Sequence, residues 1–498
     1  MTQFNIDLHC HPSIKPYGKS FNRTAGENSK DKSRRNSIWY YDPPQGLDKI
    51  VQKFTKLTKF SQSNFSALAY GQVRIICASL YSIERGLVSL NHVGSGPAAD
   101  IIANLVSGIG RKRIDFLQNN TDYFDDVTRE YAYYKQLDDT VINFRGESPR
   151  KYVLVKNYAH LQELMNTNEP NTGIETIYVI ITLEGAHNLH STRPAQLASV
   201  LQNIDQLKSW DHKPFFITFA HHFYNDFCGH AESLADWIQD WFTNQEPFMN
   251  TGINPMGWSV MEKLMDDTDG GRIHIDIKHM SPLSRKQYID FLKNECTEEY
   301  ELKKLPLIVS HGACNGLASM DHPEYTPGLE GTASRMYAGD INFYDNEIVE
   351  LAKSGGIFGL QLDERRIGSK QYIGQVHINS GSKTKRMHSN SKLVWNNIQH
   401  IVQLLDQHDV FAWDSIAIGS DNDGIIDPIN LFWTSEEMDD LVQYIERHAH
   451  NFLSDPASEI KNDYNRISAA EAVQRIFHSN SMEFFRKYFH SSNSNGIV

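Results

Sequence analysis

The stretch FNIDLHCH (4–11) joins a short apolar run to a pair of histidines and sets the pattern for the rest of the chain. Seven further runs, rich in Ile, Val, Leu and Phe with little polar alternation, follow at 73–79, 176–183, 215–220, 273–277, 307–310, 356–360 and 416–420. Strands that are buried on both faces of a parallel sheet have this composition. The sequence therefore predicts eight parallel strands.

Most segments between these runs have helical periodicity and recognisable start signals. Asp345 opens one that ends before Gly355, and Thr434 stands three residues before Glu437, as in a capping box. Eight strand–helix repeats predict an α/β fold, the (β/α)8 or TIM barrel.

The predicted barrel accounts for only part of the chain, because such a barrel needs roughly 250 residues and the chain has 498. We expect one barrel domain over 1–490, with long loop and helical insertions at about 12–46, 82–175 and 362–392. The second insertion contains a predicted helical stretch, Asp115 to Leu137. A flexible tail is expected over 491–498.

The composition favours a cytoplasmic enzyme. With 48 Lys and Arg against 61 Asp and Glu, the net charge of −13 disfavours nucleic acid or an anionic membrane as a partner. No run approaches the ~20 apolar residues of a membrane helix, and the first strand follows Met1 almost at once, so neither a membrane span nor a signal peptide is expected. The five cysteines are scattered without a CxxC pair, which predicts reduced thiols.

Two segments oppose the acidic trend. Residues 12–46 carry seven basic and three acidic residues, and residues 362–392 carry seven and two. Each follows a predicted strand, so both are expected over the C-terminal face of the barrel. Their Ser, Asn, Gly and Lys content favours solvated loops. The alternative is a basic lid that attracts an anionic substrate.

Side chains suited to metal binding or acid–base chemistry end five of the runs. Alternation along the first strand sends His9 and His11 to one side and Cys10 to the other. Taken singly, each such residue could be an ordinary buried histidine, a cap or an ion-pair residue. Taken jointly they predict a metal site, because their desolvation at buried strand ends must be compensated. The predicted set is His9, His11, Glu184, His279, His311 and Asp421.

Four segments carry a family resemblance. ITLEGAH (181–187), HIDIKHMS (274–281), LIVSHGA (307–313) and IAIGSDNDG (416–424) resemble, in order and spacing, motifs of the membrane (renal) dipeptidase family within the amidohydrolase superfamily. The resemblance spans Asn5 to Gly424. It implies two zinc ions that are bridged by Glu184 and by a water or hydroxide, with His9 and His11 on one ion and His279 and His311 on the other.

The resemblance also implies roles beside the metals. Asp421 would be the acid/base next to the bridging hydroxide. A histidine after the fourth run contacts the substrate in these enzymes and would stabilise the oxyanion, and His221 matches that place, with His222 as the alternative. Relatives in the family are often dimers, so a homodimer is possible.

The chain departs from the family pattern at two places. The family has His-x-Asp at the first strand, whereas this chain has His9-Cys10-His11, which makes the site more positive. The family's arginine for the substrate carboxylate corresponds to His322, and a neutral imidazole cannot form the bidentate pair of a guanidinium. Arg335, Arg365 or Arg366 would replace it, or the substrate lacks an α-carboxylate.

The sequence thus predicts a metal-dependent hydrolase that cleaves an amide or peptide bond in a small molecule such as a dipeptide. Two divalent ions are expected, with zinc favoured over manganese and iron. Hydrolysis of N-acyl, lactone or phosphoester substrates at the same metal pair is an alternative. A non-catalytic scaffold that retains metal is another.

Overall fold

A computed structural model describes residues 4–21, 26–56, 58–89, 100, 103–104, 107–168, 172–234, 243–268, 270–295, 305–378, 381–456, 458 and 460–490. Nine strands in these residues form one sheet in which every pairing is parallel: β1 (Asn5–Cys10), β2 (Val73–Leu80), β3 (Arg150–Leu154), β4 (Glu175–Glu184), β5 (Phe216–Thr218), β6 (His274–Asp276), β7 (Ile308–Gly312), β8 (Ile357–Leu360) and β9 (Ile416–Ile418).

The strand order confirms the predicted (β/α)8 barrel. Eight strands follow one another as β1-β2-β4-β5-β6-β7-β8-β9, and a parallel bridge between Cys10 and Asn422 brings the β1 end beside the chain that leaves β9. The strands are buried almost throughout because helices cover their outer faces. Consecutive parallel strands all present their carboxyl ends at one rim of the barrel.

One strand of the sheet, β3, lies outside the eight-strand barrel order and was not predicted from the sequence. It pairs with the first half of β4, from Arg150 beside Glu175 to Leu154 beside Val179, so part of the 82–175 insertion belongs to the sheet. Its sequence RKYVL begins with two cations, which leaves an apolar run too short to stand out. Pairing with β4, together with the ion pair of Arg150 with Glu175, stabilises it.

The helices surround the strands and fill the insertions. The α-helices span Ile14–Ser20, Gly46–Thr55, Phe65–Tyr70, Arg85–Val88, Arg111–Asn119, Tyr123–Lys135, Tyr158–Asn168, Leu197–Lys208, Pro255–Met265, Pro282–Glu295, Glu330–Ala333, Asp345–Lys353, Glu364–Ile367, Lys370–Ile378, Lys383–Gln407, Met438–Ser454, Ala469–Gln474 and Asn480–Tyr488. Short 3-10 turns lie at Ala186–Leu189, Ser435–Glu437 and Asp463–Asn465, and a π turn lies at Arg475–Ser479.

Two predicted helix starts are confirmed, and one predicted helical stretch is helical but interrupted. The helix Asp345–Lys353 begins with a capping box, and the capping box of Thr434 with Glu437 opens the turn before Met438–Ser454. The stretch Asp115 to Leu137 is two helices, because the Asp122 side chain accepts a hydrogen bond from Asp125 N and starts a new one.

The expectation of solvated loops in the two basic segments holds only in part. Residues 30–35 and 41–45 of the first segment are exposed or half-buried and lie outside any helix or strand. In the first, Lys15 is buried and donates hydrogen bonds to Asp423 Oδ1 and to the Phe60 carbonyl, both at 2.6 Å. The second is largely helical, with Glu364–Ile367, Lys370–Ile378 and the first turns of Lys383–Gln407. The basic-lid alternative stays a prediction.

Three further expectations concern the chain as a whole. No helix in the described ranges is long and apolar enough to cross a membrane. Four cysteines, Cys10, Cys77, Cys228 and Cys314, are buried free thiols, and Cys296 lies outside the described residues. The tail predicted to be flexible, 491–498, also lies outside them.

Candidate metal centre

Six side chains converge at the carboxyl ends of the barrel strands. Two come from the end of β1, one from the last residue of β4, one from β7, and one each from the turns after β6 and β9: His9, His11, Glu184, His311, His279 and Asp421. The first five are at most 6% exposed. The structure therefore brings together the whole set that the sequence singled out.

The first group joins the two β1 histidines to Glu184 and Asp421. His9 Nε2 and His11 Nε2 are 3.1 Å apart, while Cys10 between them packs in the hydrophobic core. Glu184 Oε2 lies 2.8 Å from His11 Nε2, and Oε1 lies 3.5 Å from His9 Nε2. Asp421 Oδ1 stands at the edge, 3.9 and 3.7 Å from the same two nitrogens.

The second group joins the other two histidines to the same glutamate. His279 Nε2 and His311 Nε2 are 3.2 Å apart. Glu184 Oε1 lies 3.5 Å from the first nitrogen and 3.4 Å from the second. Glu184 is therefore shared by two pairs of imidazoles, which is the arrangement of a carboxylate between two cations.

The spacing of the nitrogens fits a metal ion. Two imidazoles that bind one tetrahedral zinc ion at about 2.0–2.1 Å have their ligand atoms about 3.3 Å apart. The pairs here are at 3.1 and 3.2 Å. Two imidazole nitrogens that face each other so closely need a proton or a cation between their lone pairs. The donor set of neutral imidazoles and carboxylate suits a divalent ion.

Hydrogen bonds on the outer nitrogens orient the rings. The Ser79 carbonyl can only accept, so His11 Nδ1 donates to it at 2.9 Å, and Nε2 is the nitrogen left for a cation. The Ser310 hydroxyl contacts Nδ1 of His9 at 3.2 Å and Nδ1 of His311 at 2.9 Å. One serine thus supports an imidazole from each pair.

The two carboxylates of the centre are pushed toward opposite protonation states. Burial alone would raise the pKa of Glu184, but the charges of His221, His11 and His9 hold this pKa well below its usual range. Burial and the negative charge of Glu184 raise the pKa of Asp421 well above its usual range. Carboxyl groups separated in this way take different roles, a permanent anion and a proton carrier.

His221 stands beside the centre and is held by a glutamate that the sequence did not reveal. Its Nδ1 contacts Glu84 Oε2 at 2.6 Å, and its Nε2 lies 3.6 Å from Glu184 Oε1. Glu84 also accepts hydrogen bonds from Tyr81 Oη and Phe223 N. Burial lowers the pKa of His221, but Glu84 and Glu184 outweigh it, so the net shift is upward. Glu84 lies in an insertion without any motif.

His222, the alternative to His221, lies in the same corner. Its Nδ1 contacts Ser233 Oγ at 2.6 Å. With His221 and His279 it forms a third cluster with the spacing of possible metal ligands. Because His222 is less buried than its neighbours and faces the cavity, it is placed to contact a substrate.

Contacts of Asp423 hold the turn that carries Asp421 in place. Asp423 accepts hydrogen bonds from the backbone N–H of Gln62 at 2.9 Å and of Ser63 at 2.7 Å, and it pairs with Lys15. Gly424 is required because a side chain there would overlap Asp421 Oδ1. The DNDG sequence (421–424) therefore orients the Asp421 carboxylate.

The centre opens into a cavity at the carboxyl ends of the strands. One wall is apolar and comes partly from the insertion after β2, with Ile83, Leu87, Val88, Ile109, Ile425 and Ile426. The floor includes His279, His311 and Asp421. This combination suits a small, partly apolar molecule placed over the candidate centre.

The structure does not bring all predicted substrate residues to this cavity. His322 is exposed on a surface turn, and Arg335 donates to Asn396 Oδ1 at 3.3 Å; neither lines the cavity. Arg365 does line it, but Asp363 holds its guanidinium at 2.6 and 3.0 Å. The positions of Arg335 and Arg365 in the sequence do not reveal that Asn396 and Asp363 bind their side chains.

Two further cations line the cavity: Arg366, a candidate for the substrate carboxylate from the sequence, and Lys278, to which the sequence assigns no role. Lys278 precedes His279 and is buried, whereas Arg366 is partly buried. Burial and the charge of Arg366 lower the pKa of Lys278 to about 7, although Asp421 opposes the shift. The sequence signal that could have indicated Lys278 is a lysine at the end of a predicted strand, within HIDIKHMS.

The fold and the site define a (β/α)8-barrel protein with a candidate metal centre at the strand ends. No protein-family model and no curated protein matches the chain. Solved structures with a similar fold include a probable dipeptidase from Pseudomonas aeruginosa, with 13% identity over 97% of this chain and 95% of that chain and a TM-score of 0.48.

Two other solved structures are similar to the same extent. An amidohydrolase from Pseudomonas aeruginosa has 12% identity over 85% of this chain and 92% of that chain, with a TM-score of 0.45. A metallopeptidase from Rhodobacter sphaeroides, liganded with a phosphinate mimic of the dipeptide L-Ala-D-Ala, has 11% identity over 98% and 100%, with a TM-score of 0.46. Similarities this distant do not carry an activity over to this chain.

Proposed function

We propose that the protein is a metal-dependent hydrolase that cleaves an amide or peptide bond in a small substrate. The proposal rests on one observation, the carboxylate of Glu184 between two imidazole pairs whose Nε2 atoms are 3.1 and 3.2 Å apart. Five buried groups of this kind would be costly without a cation to compensate them. The motif resemblance favours an amide over an ester or lactone.

The residues divide into ligands and reacting groups. Glu184 would hold both of two divalent ions, zinc in the first place, with His9 and His11 completing one site and His279 and His311 the other. Such ions supply an acidified water and polarise the carbonyl under attack. Everything else in the reaction falls to side chains of the protein.

Asp421 would carry the proton. Its Oδ1 lies near the Nε2 atoms of His9 and His11, where an attacking water would pass. Its raised pKa makes Asp421 a stronger base than an ordinary carboxylate, so it can accept a proton from the water and return it to the leaving amine.

His221 would stabilise the charge that develops on the substrate oxygen. Glu84 fixes its Nδ1 and favours the doubly protonated ring, so Nε2–H is available as a donor on the side of the centre. The ring is buried and cannot turn freely, which keeps this donor in place before the substrate arrives.

The test combines metal analysis with a substrate panel. Chelator-treated protein is reloaded separately with zinc, manganese and iron, its metal content is measured by elemental analysis, and hydrolysis of dipeptides, N-acyl amino acids, lactones and phosphotriesters is assayed. We expect turnover of an amide class that depends on the added metal. Absence of bound metal, or turnover confined to lactones or phosphotriesters, would contradict the proposal.

The variant Asp421→Asn separates catalysis from binding. We expect kcat to fall by roughly 10²- to 10⁴-fold, because proton transfer is lost while the size and shape of the side chain are kept. Metal content should stay unchanged, since the imidazoles and Glu184 remain. The exposed Asp439→Asn is the matched control. Biological activity that survives Asp421→Asn would favour the scaffold alternative.

A further inference from the structure

Two cations of the cavity lack a carboxylate partner among the residues that the structure describes. The ammonium of the buried Lys278 makes one hydrogen bond, a long one of 3.5 Å to the Ile341 carbonyl. The Arg366 guanidinium donates to the Ser233 carbonyl and lies 5.7 Å from the centroid of the Tyr337 ring. Within the described part of the chain neither forms an ion pair. Arg365 next to them is neutralised by Asp363.

The nearby acids are committed elsewhere. Asp276 accepts hydrogen bonds from Thr218 Oγ1 at 2.8 Å, from the backbone N–H of Lys278 at 3.0 Å and from Ser310 N at 3.2 Å. Asp421 faces the imidazoles of the first group. The positive charge of Lys278 is therefore not balanced by a carboxylate contact within the described ranges of the chain.

Unpaired buried cations are costly to keep. Moving an ammonium out of water without a partner opposes folding and disfavours its charged form, and a second cation in the same cavity adds repulsion. A bound anion would remove both penalties. A guanidinium offers a planar fork and a lysine a point charge, which together suit a carboxylate.

We propose that Lys278 and Arg366 form an anion subsite that holds a carboxylate of the substrate. Lys278 lines the same cavity as His279 and His311, so a carboxylate held there lies near the second imidazole pair and leaves the scissile bond over the centre. The apolar part of the substrate packs against the wall around Ile83, Leu87 and Ile425. The preferred substrate is a small amide that bears one carboxylate and an apolar side chain. This assignment rests on the proposed hydrolytic function for its biological meaning.

The test measures binding rather than turnover. The probes are 4-methylpentanoate, an apolar carboxylate, and 4-methylpentanamide, its neutral counterpart of the same shape, and neither has a peptide bond to cleave. Their affinities are measured by calorimetry with metal-loaded and with chelator-treated protein. The variants are Lys278→Met and Arg366→Met, each of which keeps an apolar side chain. Lys213→Met, a partly buried lysine before β5 at the other end of the barrel, controls for the loss of one charge.

The expected result is a preference for the carboxylate probe that depends on both cations. In the wild type and in Lys213→Met, the carboxylate should bind at least about tenfold more tightly than the amide, the usual effect of a charge-assisted hydrogen bond. Each cavity variant should lose this preference and bind the amide as before. The preference should persist without metal.

Other outcomes overturn the assignment. Equal affinity for the two probes in the wild type would do so without any variant. So would a preference that survives in both variants, or one that exists only in metal-loaded protein, since the metal would then hold the anion.

The melting temperatures of the variants test whether each substitution disturbs folding. Replacing an unpaired buried cation by methionine should leave the melting temperature unchanged or raise it. A clear fall for Lys278→Met would indicate a structural role and would contradict the subsite. If no substrate is hydrolysed but the carboxylate preference behaves as expected, the subsite stands and the hydrolase fails. If hydrolysis is found without the carboxylate preference, the hydrolase proposal stands and the subsite fails.

Discussion

Individual residues of the centre occupy backbone conformations that a sequence does not specify. His279 has φ of +65° and Asp421 has φ of +59°, both in the left-handed region that non-glycine residues rarely adopt. Strain of this kind costs about 1–3 kcal/mol and collects at functional sites. For Asp421 the surrounding contacts enforce it, since its N–H donates to the His9 carbonyl at 2.9 Å.

Glu84 offers the sharpest test at the residue scale. In Glu84→Gln the negative charge beside His221 Nδ1 is lost, so the pKa of His221 should fall, as an NMR titration of chelator-treated protein would show. Because Glu84 positions His221 and does not touch the metal ligands, kcat should drop by roughly 10- to 100-fold with metal content unchanged. Exposed Glu446→Gln is the control. An unchanged pKa of His221 would contradict this positioning role.

The site could be predicted where chemistry-bearing residues directly end an apolar run. His9, Glu184 and His311 are of this kind, because the carboxyl ends of all the barrel strands lie at the same rim. Glu84 could not be predicted, since it lies in an insertion whose path the sequence leaves open. The prediction for His322 rests on its distance along the chain from His311, and such a distance does not determine the direction of a surface turn.

At the scale of elements, the insertions are parts of the barrel rim. The helix Tyr123–Lys135 connects the chain after β1 to the end of β2, because Glu130 accepts hydrogen bonds from Ser13 Oγ at 2.5 Å and from Tyr81 N at 2.8 Å. The sequence predicted the eight apolar strands and missed β3, whose pairing with β4 depends on tertiary contacts rather than on its own apolar content.

Glu130 gives this helix contact a pH dependence. Burial raises the pKa of Glu130 from 4.5 to about 7, although hydrogen bonds from Ser13 and Tyr81 oppose the shift. The folded protein thus binds this proton more tightly than the unfolded chain does, and the stability linked to it, fully present below the unfolded pKa, is lost as the pH rises toward 7. Glu130→Gln removes that loss.

Denaturation of the wild type and Glu130→Gln between about pH 5 and 7 measures the effect. The free energy of unfolding of the variant minus that of the wild type should increase with pH, by at most roughly 1.4 kcal/mol per unit. Exposed Glu163→Gln should show a constant difference. A difference that decreases with pH would mean that the pKa of Glu130 is lowered by folding, contrary to the structure.

At the scale of the whole molecule, the barrel collects ligands from positions as far apart in sequence as His9 and Asp421. The closing bridge between Cys10 and Asn422 brings these two ends together. The last helices seal the opposite end, where Asn480 donates to the carbonyls of Trp413 and Ile416 at 2.6 and 2.8 Å. A cation at the rim would therefore link most of the chain.

Metal removal should lower the stability of the entire protein. Ions that bind only the folded state stabilise it by mass action, by about 4 kcal/mol at a thousand times the dissociation constant. We expect chelation to lower the melting temperature and zinc to restore it. In Glu184→Gln the response to zinc should be much weaker. Equal responses of the two proteins would place the zinc elsewhere.

The central claim, that Glu184 lies between two cations, is tested most directly by anomalous scattering from crystals of the zinc-loaded protein. Two peaks are predicted, one within bonding distance of His9, His11 and Glu184 and the other within bonding distance of His279, His311 and Glu184. A map without any peak beside Glu184, from protein that elemental analysis shows to be saturated with zinc, would contradict the claim.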